Sequence, residues 1–302
     1  MQKRQATTIN DSQHRLDKTL QAMTGLSRKK VKSLIDQGRA LVNGRKVIIA
    51  SWVIKPSDRV EMLKEGAESL PDASQHYLKV VYEDNDILVV EKDAGVPCEK
   101  SALATKPTLI SIINAYFKRK YPHLKHHYLG LVHRLDTETS GLMVYTRTKE
   151  ANRITDQFKR HTIKRKYLAV VEGQILDQGG TIENFLKKSS LLKGGKKVTL
   201  ATAATGRRAL THFRVLERYP KATLVELNLN TGRTHQIRVQ MASIGHPVLG
   251  DTIYGKPGKS SRQALHAAYL GFHHPTTGQK MEFSADLPRD LRRMVDRLRI
   301  KS

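Results

Sequence analysis

The chain has 302 residues, of which 53 are Lys or Arg and 28 are Asp or Glu, so its formal net charge is +25. This charge excludes an ordinary neutral enzyme surface and favours a polyanionic partner, most often nucleic acid, over a small neutral metabolite. Because 39% of the residues are hydrophobic, the chain can bury a real core, and its length favours two domains.

The only cysteine, Cys98, excludes a disulfide framework and a thiolate metal cluster within the chain. We therefore expect a reducing, cytoplasmic location and no metal. The sequence contains neither an apolar signal segment near its start nor a run of about 18 to 20 apolar residues, so we expect no membrane association.

Residues 15 to 62 predict a compact first unit. Its first helix is indicated by apolar residues on one helical face, namely Leu16, Leu20 and Met23. Ser27 is a suitable N-cap for a second helix that ends at Gly38. Asn43-Gly44 then predicts a tight hairpin, because both turn positions require positive φ, and the run VIKPSDRVEM predicts a closing strand.

Positive charge gathers on the second helix and the segment after it. The residues are Arg28, Lys29, Lys30, Lys32, Arg39, Arg45 and Lys46. Such a one-sided helix can follow the phosphates of a nucleic acid, and a merely solubilising surface is the alternative. The order of helix, basic helix, glycine turn and Val-Asn-Gly hairpin resembles the ribosomal-protein-S-four-like RNA-binding module, also called the alpha-L motif. The resemblance implies that this face contacts RNA.

We predict this alpha-L domain and its tail at residues 1–68, followed by a linker at 69–76, where Gly, Pro, Ser and acidic residues replace any periodic pattern. Residues 77–302 predict a second domain of class α+β with a mixed, largely antiparallel sheet, because most strands follow one another without a helix between them. Helices are predicted at TLISIINAYFKRK, KEANRITDQFKRH, HQIRVQMASIG and PRDLRRMVDRLR. The Gly- and Lys-rich stretch 176–206 is either an RNA-contacting hairpin or a tolerant surface loop.

The run LVHRLDTETSGLMVYTRT places His133, Arg134 and Asp136 in a turn between two strands. A carboxylate in such a turn can act as a nucleophile or a base. Equally, Asp136 could bind nearby backbone N–H groups and serve only the turn.

A second candidate lies in LNTGRTHQIRVQMASIGHPVLGD. We predict a helix that carries Arg233 and Arg238 with His235 between them, and guanidinium groups there can clamp phosphate or a carboxylate. Alternatively, Arg238 belongs to a buried structural ion pair. Tyr167, in the strand KRKYLAVVEG, can stack on an unpaired base or pack in the core.

In this order, HRLDTETSGL, KRKYLAVVEG, TGRTHQIRVQMASIGHPVLGD and LHAAYLGFHHP closely resemble the signature blocks of the RluA-type pseudouridine synthases. The resemblance implies that Asp136 is the catalytic aspartate, that Tyr167 stacks on the uracil ring and that Arg238 pairs with the aspartate. One departure is Lys92-Asp93-Ala94-Gly95, where the family commonly has Lys-Pro-Ala or Lys-Pro-Ser before Gly.

The resemblance also implies that Arg134 replaces or extrudes the target base and that Leu265 packs near the site, while we expect Arg233 and His133 to contact RNA. The implied reaction converts specific uridines of structured RNA to pseudouridine, with large-subunit (23S) ribosomal RNA favoured as substrate. It involves no net redox change or hydrolysis, so we expect no cofactor, and we expect a monomer. The alternatives are a non-catalytic RNA-binding assembly factor, the same isomerase acting on transfer RNA, and a glycosidase-like pair of Asp136 and Glu138.

Overall fold

The computed structural model describes residues 5–8, 14–63, 77–99, 107–124, 126–189, 197–255 and 262–300. These residues belong to two compact units, one formed by Met1–Tyr77 with Val96–His123 and the other by Leu78–Gly95 with Leu124–Ser302. The predicted linker at 69–76 lies outside the described residues, so the domain boundaries stay predictions. Within the described ranges, no helix is long and apolar enough to cross a membrane.

The described residues of the first unit form three helices and six short strands. In chain order these are β1 (Gln5–Thr8), β2 (His14–Arg15), α1 (Leu16–Thr24), α2 (Arg28–Asp36), β3 (Ala40–Val42), β4 (Arg45–Val47), β5 (Val53–Ile54), β6 (Arg59–Met62) and α3 (Leu109–Lys120). The strands pair antiparallel, as a four-stranded sheet in the order β1-β6-β3-β4 and as the separate pair β2-β5. Its core is formed by side chains of α1, α2 and the strands. The fully buried ones include Leu16, Leu20, Val31, Ile35, Ile54 and Val60.

The helix cap and the tight hairpin that the sequence predicts in this unit are both present in the structure. The Ser27 side chain caps α2 by accepting the N–H of Lys30 at 3.3 Å. Asn43 and Gly44 have φ of 52° and 75°, which confirms the tight hairpin. The prediction of one closing strand was wrong in one respect: a turn at residues 55–58, closed by the N–H of Asp58 and the carbonyl of Lys55, divides it into β5 and β6. A proline at position 56 offers no N–H for a continuous ladder.

The second unit is dominated by one large sheet. Its elements are β7 (Lys79–Glu83), β8 (Ile87–Lys92), β9 (Gly130–Leu131), β10 (Ser140–Thr146), a 3₁₀ turn (Glu150–Arg153), α4 (Ile154–Lys159), β11 (Lys164–Glu172), β12 (Gly179–Ser189), β13 (Lys197–Ala201), β14 (Arg207–Tyr219), β15 (Ala222–Leu229), α5 (Gln236–Ser243), β16 (Leu265–His273), β17 (Lys280–Ser284) and α6 (Arg289–Ile300).

The strands of this unit follow the order β13-β12-β14-β15-β11-β16-β10-β8-β7, with β17 added to β16 and β9 to β10. Among the described strand pairs, β10 and β16 are parallel and the others are antiparallel. This confirms the predicted α+β class with a mixed, largely antiparallel sheet. All seven residues of β10 are buried, as expected of a strand covered on both faces.

Residues 185–189 of β12 pair antiparallel with residues 197–201 of β13. The Gly- and Lys-rich stretch therefore contains a strand hairpin, although residues 190–196 lie outside the described ranges. Helix α5 packs on the base of this hairpin through Val239, which shares an apolar cluster with Leu186, Val198 and Ala209. The hairpin is thus anchored to the same helix that carries Arg238. Its contact with RNA stays a prediction.

Candidate active site

Asp136 lies in a turn that leads into β10. The N–H of Thr139 donates to the carbonyl of Asp136 at 3.1 Å, which closes the turn. Two groups from the end of β8 hold the next carbonyl, that of Thr137: the Lys92 Nζ donates to it at 2.9 Å and the Gly95 N–H does so at 2.9 Å. The segment that departs from the family pattern therefore supports the backbone immediately after Asp136.

Arg238 connects Asp136 to a second carboxylate. Its Nη1 donates to Oδ2 of Asp136 at 2.8 Å, while its Nε and Nη2 donate to Asp251 at 2.6 and 2.9 Å. Arg238 and Asp251 are buried, whereas 24% of the Asp136 side chain remains exposed. Arg238 thus forms a buried ion pair with Asp251 and also pairs with Asp136, so the two expected arrangements occur together.

The charge states of this pair follow from its contacts. Burial opposes the charge of Arg238, but the hydrogen bonds and charges of Asp251 and Asp136 outweigh it and raise the pKa of Arg238. Burial likewise opposes ionisation of Asp251, but Arg238 and the N–H groups of Ile253 and Tyr254 hold the pKa of Asp251 below its usual value. The guanidinium therefore stays charged between the two carboxylates.

The predicted extent of the helix around Arg238 was partly wrong. Helix α5 begins at Gln236, so Arg233 precedes it, and His235 at the N-cap has a left-handed φ of 54°. The Gln236 side chain fixes this helix start: its Oε1 accepts the N–H of Arg233 at 2.9 Å and the hydroxyl of Thr231 at 2.8 Å. Arg233 therefore does not share a helical face with Arg238, and its Nε donates to the carbonyl of Arg208 at 3.0 Å.

His235 forms a further polar contact at the site. Its Nδ1 lies 2.9 Å from the hydroxyl of Tyr254, which also accepts the N–H of Val198 at 2.8 Å. Because that hydroxyl already accepts one bond, its own proton is available to Nδ1. Burial, assisted by the charges of Arg238 and Arg134, lowers the pKa of His235. Its Nε2 lies 3.8 Å from Oδ2 of Asp136.

Two cavities meet at Asp136. A small one of about 60 Å³ is lined, among others, by Arg134, Asp136, Tyr167, Arg233, Arg238 and Leu265. A larger one of about 530 Å³ is also lined by Arg134, Asp136, Tyr167 and Arg233, together with His133. The structure therefore brings together all the candidate site residues of the second unit. Tyr167 is 8% exposed and lies at a register shift between β11 and β16.

His133 lines the larger cavity as a neutral ring. Its Nε2 accepts the N–H of Val144 at 3.0 Å, and the ring stacks on Phe158 with centroids 4.9 Å apart. Burial and the neighbouring Arg165 charge lower the pKa of His133 to about 3. His133 therefore supplies shape and packing rather than positive charge at neutral pH.

The basic face of the first unit is smaller than the sequence suggested. Lys29, Lys30 and Lys32 are exposed on α2. Arg28 is exposed as well but also pairs with the buried Asp17 at 3.2 Å. The prediction that Arg39 belongs to this surface was wrong: it is 9% exposed, and its Nη2 donates to the carbonyl of Leu63 at 2.8 Å.

Sequence patterns alone missed several residues of the site. Asp251 was included only as the last residue of the second candidate stretch, and Tyr254 and Arg165 were not singled out. Their positions depend on packing between segments far apart in the chain, for which a local pattern gives no signal. The position of Arg165, two residues before Tyr167 on the same face of a strand, was the one available hint.

Comparison with known proteins agrees with this geometry. The family model described as RNA pseudouridylate synthase matches residues 86–243, and the S4 domain model matches residues 14–60. The chain accordingly has the fold of an RNA-modifying enzyme with a separate RNA-binding domain. The chain belongs to the RNA pseudouridylate synthase family.

Similar proteins cover nearly the whole chain. An RNA pseudouridine synthase of Bacillus subtilis, YlyB, named as uncharacterised, is 38% identical over 291 residues, with 94% of each chain covered. The ribosomal large subunit pseudouridine synthase D of Zymomonas mobilis is 34% identical over 308 residues, with 95% of each covered. The solved structure of human RNA pseudouridylate synthase domain containing 1 superposes with a TM-score of 0.57 at 26% identity, covering 74% of this chain and 95% of that one.

Proposed function

We propose that this protein converts uridine to pseudouridine in large-subunit ribosomal RNA, with Asp136 as the catalytic carboxylate. The observation that carries the proposal is the pairing of a part-exposed Asp136 with a buried Arg238 at 2.8 Å, in a cavity that Tyr167 also lines. The similarity to a synthase named for the ribosomal large subunit supports the choice of substrate.

The chemistry requires three events at one site. The bond between N1 and C1′ breaks, the uracil turns while it remains bound, and C5 joins C1′ with loss of the C5 proton. Asp136 can attack C1′ or remove a proton from C2′, and both routes need an ionised carboxylate. Arg238 holds one oxygen of that carboxylate in place by a direct, charge-assisted hydrogen bond.

Tyr167 and Leu265 supply the walls that keep the detached base in place. Both line the small cavity beside Asp136. A planar ring against the uracil permits rotation of the base while excluding its escape. We assign Tyr167 this stacking role and Leu265 an apolar packing role.

The RNA must present its uridine outside the base stack, at a cost of about a few kcal/mol. Arg134 and Arg233 line both cavities and are placed to offset this cost through contacts with the displaced base or its backbone. Further basic contacts come from Lys29, Lys30 and Lys32 on the S4 domain. RNA is the substrate, and we propose a monomeric protein in the cytoplasm, with domain boundaries near residues 68 and 76.

The test is release of tritium from uracil C5. Purified protein is incubated with an unmodified large-subunit ribosomal RNA transcript tritiated at that position, and tritium in water is counted. Asp136→Asn should abolish release. Glu138→Gln is the matched control, because Glu138 is an exposed carboxylate two residues further on, and it should leave release unchanged.

Each alternative gives a different result. Release from a transfer RNA transcript but not from the ribosomal transcript would contradict the proposed substrate. RNA binding without release from either would indicate a binding factor. Equal loss of release in the Glu138 variant would contradict the assignment of Asp136 as the single catalytic carboxylate and favour a paired-carboxylate site.

A further inference from the structure

The larger cavity is lined by a buried arginine whose charge is not balanced by an acid within the described part of the chain. Arg165 lies on β11 and is 8% exposed, and its buried Nε has no hydrogen-bond partner among the described residues. No described carboxylate forms an ion pair with it either. A buried cationic group without partners is costly, so such a residue in a cavity wall indicates that a ligand supplies the missing acceptor.

Two neighbours hold this guanidinium in position. Its Cζ lies 5.5 Å from the centroid of the Phe158 ring, which is a cation–π contact. On another side lies Gly232, where an added Cβ would come within 2.6 Å of Nη1 of Arg165. The glycine therefore leaves the space that the guanidinium occupies.

The cavity around Arg165 is strongly cationic. Its lining includes Arg134, Lys159, Arg165 and Arg233, and Asp136 is the only acid among the described residues that line it. Asp136 is already engaged by Arg238. An anion that enters this cavity would thus meet several positive charges next to Asp136.

We infer that Arg165 binds a backbone phosphate of the RNA adjacent to the target uridine. This inference rests on the proposed function, since it requires a uridine at Asp136. A phosphodiester necessarily enters with a displaced nucleotide, and its oxygens match the planar donor fork of a guanidinium. Arg165 then positions the nucleotide, while Asp136 acts on its sugar.

The experiment measures both binding and turnover. Binding of the full chain to the ribosomal transcript is followed at 50 to 200 mM salt in the Asp136→Asn background, and KM and kcat are measured with Asp136 intact. The variants are Arg165→Gln, Arg165→Lys and Gly232→Ala. Arg218→Gln is the matched control, because this half-buried arginine donates to the carbonyls of Ile175, Leu176 and Asp177 outside the cavity.

Loss of one phosphate contact in Arg165→Gln should reduce the slope of log affinity against log salt by about 0.7. We expect KM to rise about tenfold. Arg165→Lys should retain the slope while binding more weakly, because charge remains but the donor fork does not. Gly232→Ala should raise KM less, and Arg218→Gln should change neither quantity. Thermal unfolding of each variant confirms that it is folded.

Three results would overturn the inference. The first is an unchanged KM and salt slope in Arg165→Gln while the wild-type protein releases tritium, which would mean that Arg165 has only a structural role. Weaker binding with an unchanged slope would indicate a neutral acceptor such as a uracil carbonyl. If the wild-type protein releases no tritium, the proposed function fails and this inference fails with it.

Discussion

Arg238 gives two of its three guanidinium nitrogens to Asp251, at 2.6 and 2.9 Å, and so presents a single remaining nitrogen to Asp136. The bidentate bond fixes the plane of the guanidinium, and the third nitrogen then fixes one oxygen of Asp136. In the proposed function, the other oxygen of Asp136 is left for the substrate. Asp251 therefore orients Arg238, whereas Asp136 is the carboxylate to which we assign the chemistry.

Asp251→Asn should therefore reduce mainly stability, whereas Asp136→Asn should reduce only activity. Asp251→Asn leaves a buried guanidinium partly unpaired, so we expect a loss of about 3 to 5 kcal/mol in the free energy of unfolding. Misplacement of Arg238 should also lower kcat about tenfold to a hundredfold. Asp136→Asn should abolish tritium release while changing stability by less than about 1 kcal/mol, since its side chain is part-exposed. Urea unfolding and tritium release measure both, and equal stability losses would contradict this division.

Stability should depend on pH through His133. In the unfolded chain its pKa is about 6.5, and in the folded protein it is about 3. Below pH 6.5 the unfolded chain binds a proton that the folded protein does not, so the free energy of unfolding should fall by up to about 1.4 kcal/mol per pH unit as the pH drops toward 3. The full contribution of the neutral ring is present above pH 6.5.

His133→Gln should flatten this dependence, because an amide oxygen can still accept the N–H of Val144 but does not titrate in this range. Urea unfolding at pH 5, 6, 7 and 8 measures the slope. His273→Gln is the control, since His273 is exposed at the end of β16 and its replacement should leave the slope unchanged. Identical slopes in wild type and His133→Gln would contradict the buried neutral state of this ring.

Much of the fold was predictable because its signals are local. The cap at Ser27 and the turn at Asn43-Gly44 depend on neighbouring backbone groups, and alternating or continuous apolar runs marked the strands. The end of α5 nearest the site was not predictable in this way. His235 adopts a left-handed conformation with no glycine or proline to signal it, and the Gln236 side chain that holds this helix start also donates to Leu210 and Thr211 of the distant strand β14.

The site was predictable only in part for the same reason. Asp136 and Arg238 are 102 residues apart, and their pairing followed from resemblance to a family rather than from any local pattern. Burial of Arg39 and pairing of Arg238 with Asp251 are tertiary contacts. A sequence shows which residues are charged, but the neighbours that neutralise or isolate a charge are set by packing between remote segments.

Lys92 should act as a positioning residue for the turn of Asp136. Its buried Nζ donates to the carbonyls of Thr137 and Asp93, both at 2.9 Å. In Lys92→Met the Thr137 carbonyl loses this donor, so we expect kcat to fall about tenfold with KM changed by less than about threefold, because the turn moves but the RNA surface does not. Steady-state tritium release measures kcat and KM separately. Lys221→Met is the control, because Lys221 is exposed. A rise in KM alone would contradict a positioning role.

A side chain at Gly141 should destabilise the protein by steric overlap as well as by backbone strain, and comparison with Gly278 separates the two effects. Gly141 has φ of 120°, and an added Cβ would overlap the backbone of Ala267 where β10 and β16 run parallel. Gly278 has φ of 73° but open space around it. Gly278→Ala should cost about 1 to 2 kcal/mol from backbone strain alone. Gly141→Ala should cost at least about 2 kcal/mol more, because strands must separate, and equal costs in urea unfolding would show that the overlap is relieved.

The exposed lysines of the S4 domain should govern affinity rather than chemistry. Replacing Lys29, Lys30 and Lys32 together by Gln removes three charges from α2 and leaves the pair of Arg28 and Asp17 intact, so stability should change by less than about 0.5 kcal/mol. We expect the salt slope of RNA binding to fall by about 2 and KM to rise at least tenfold, with kcat at saturating RNA unchanged. The matched control removes three exposed arginines of α6 by the changes Arg289→Gln, Arg293→Gln and Arg297→Gln. If the control weakens binding equally, affinity follows total charge, whereas a larger effect on α2 means that phosphates contact this helix directly.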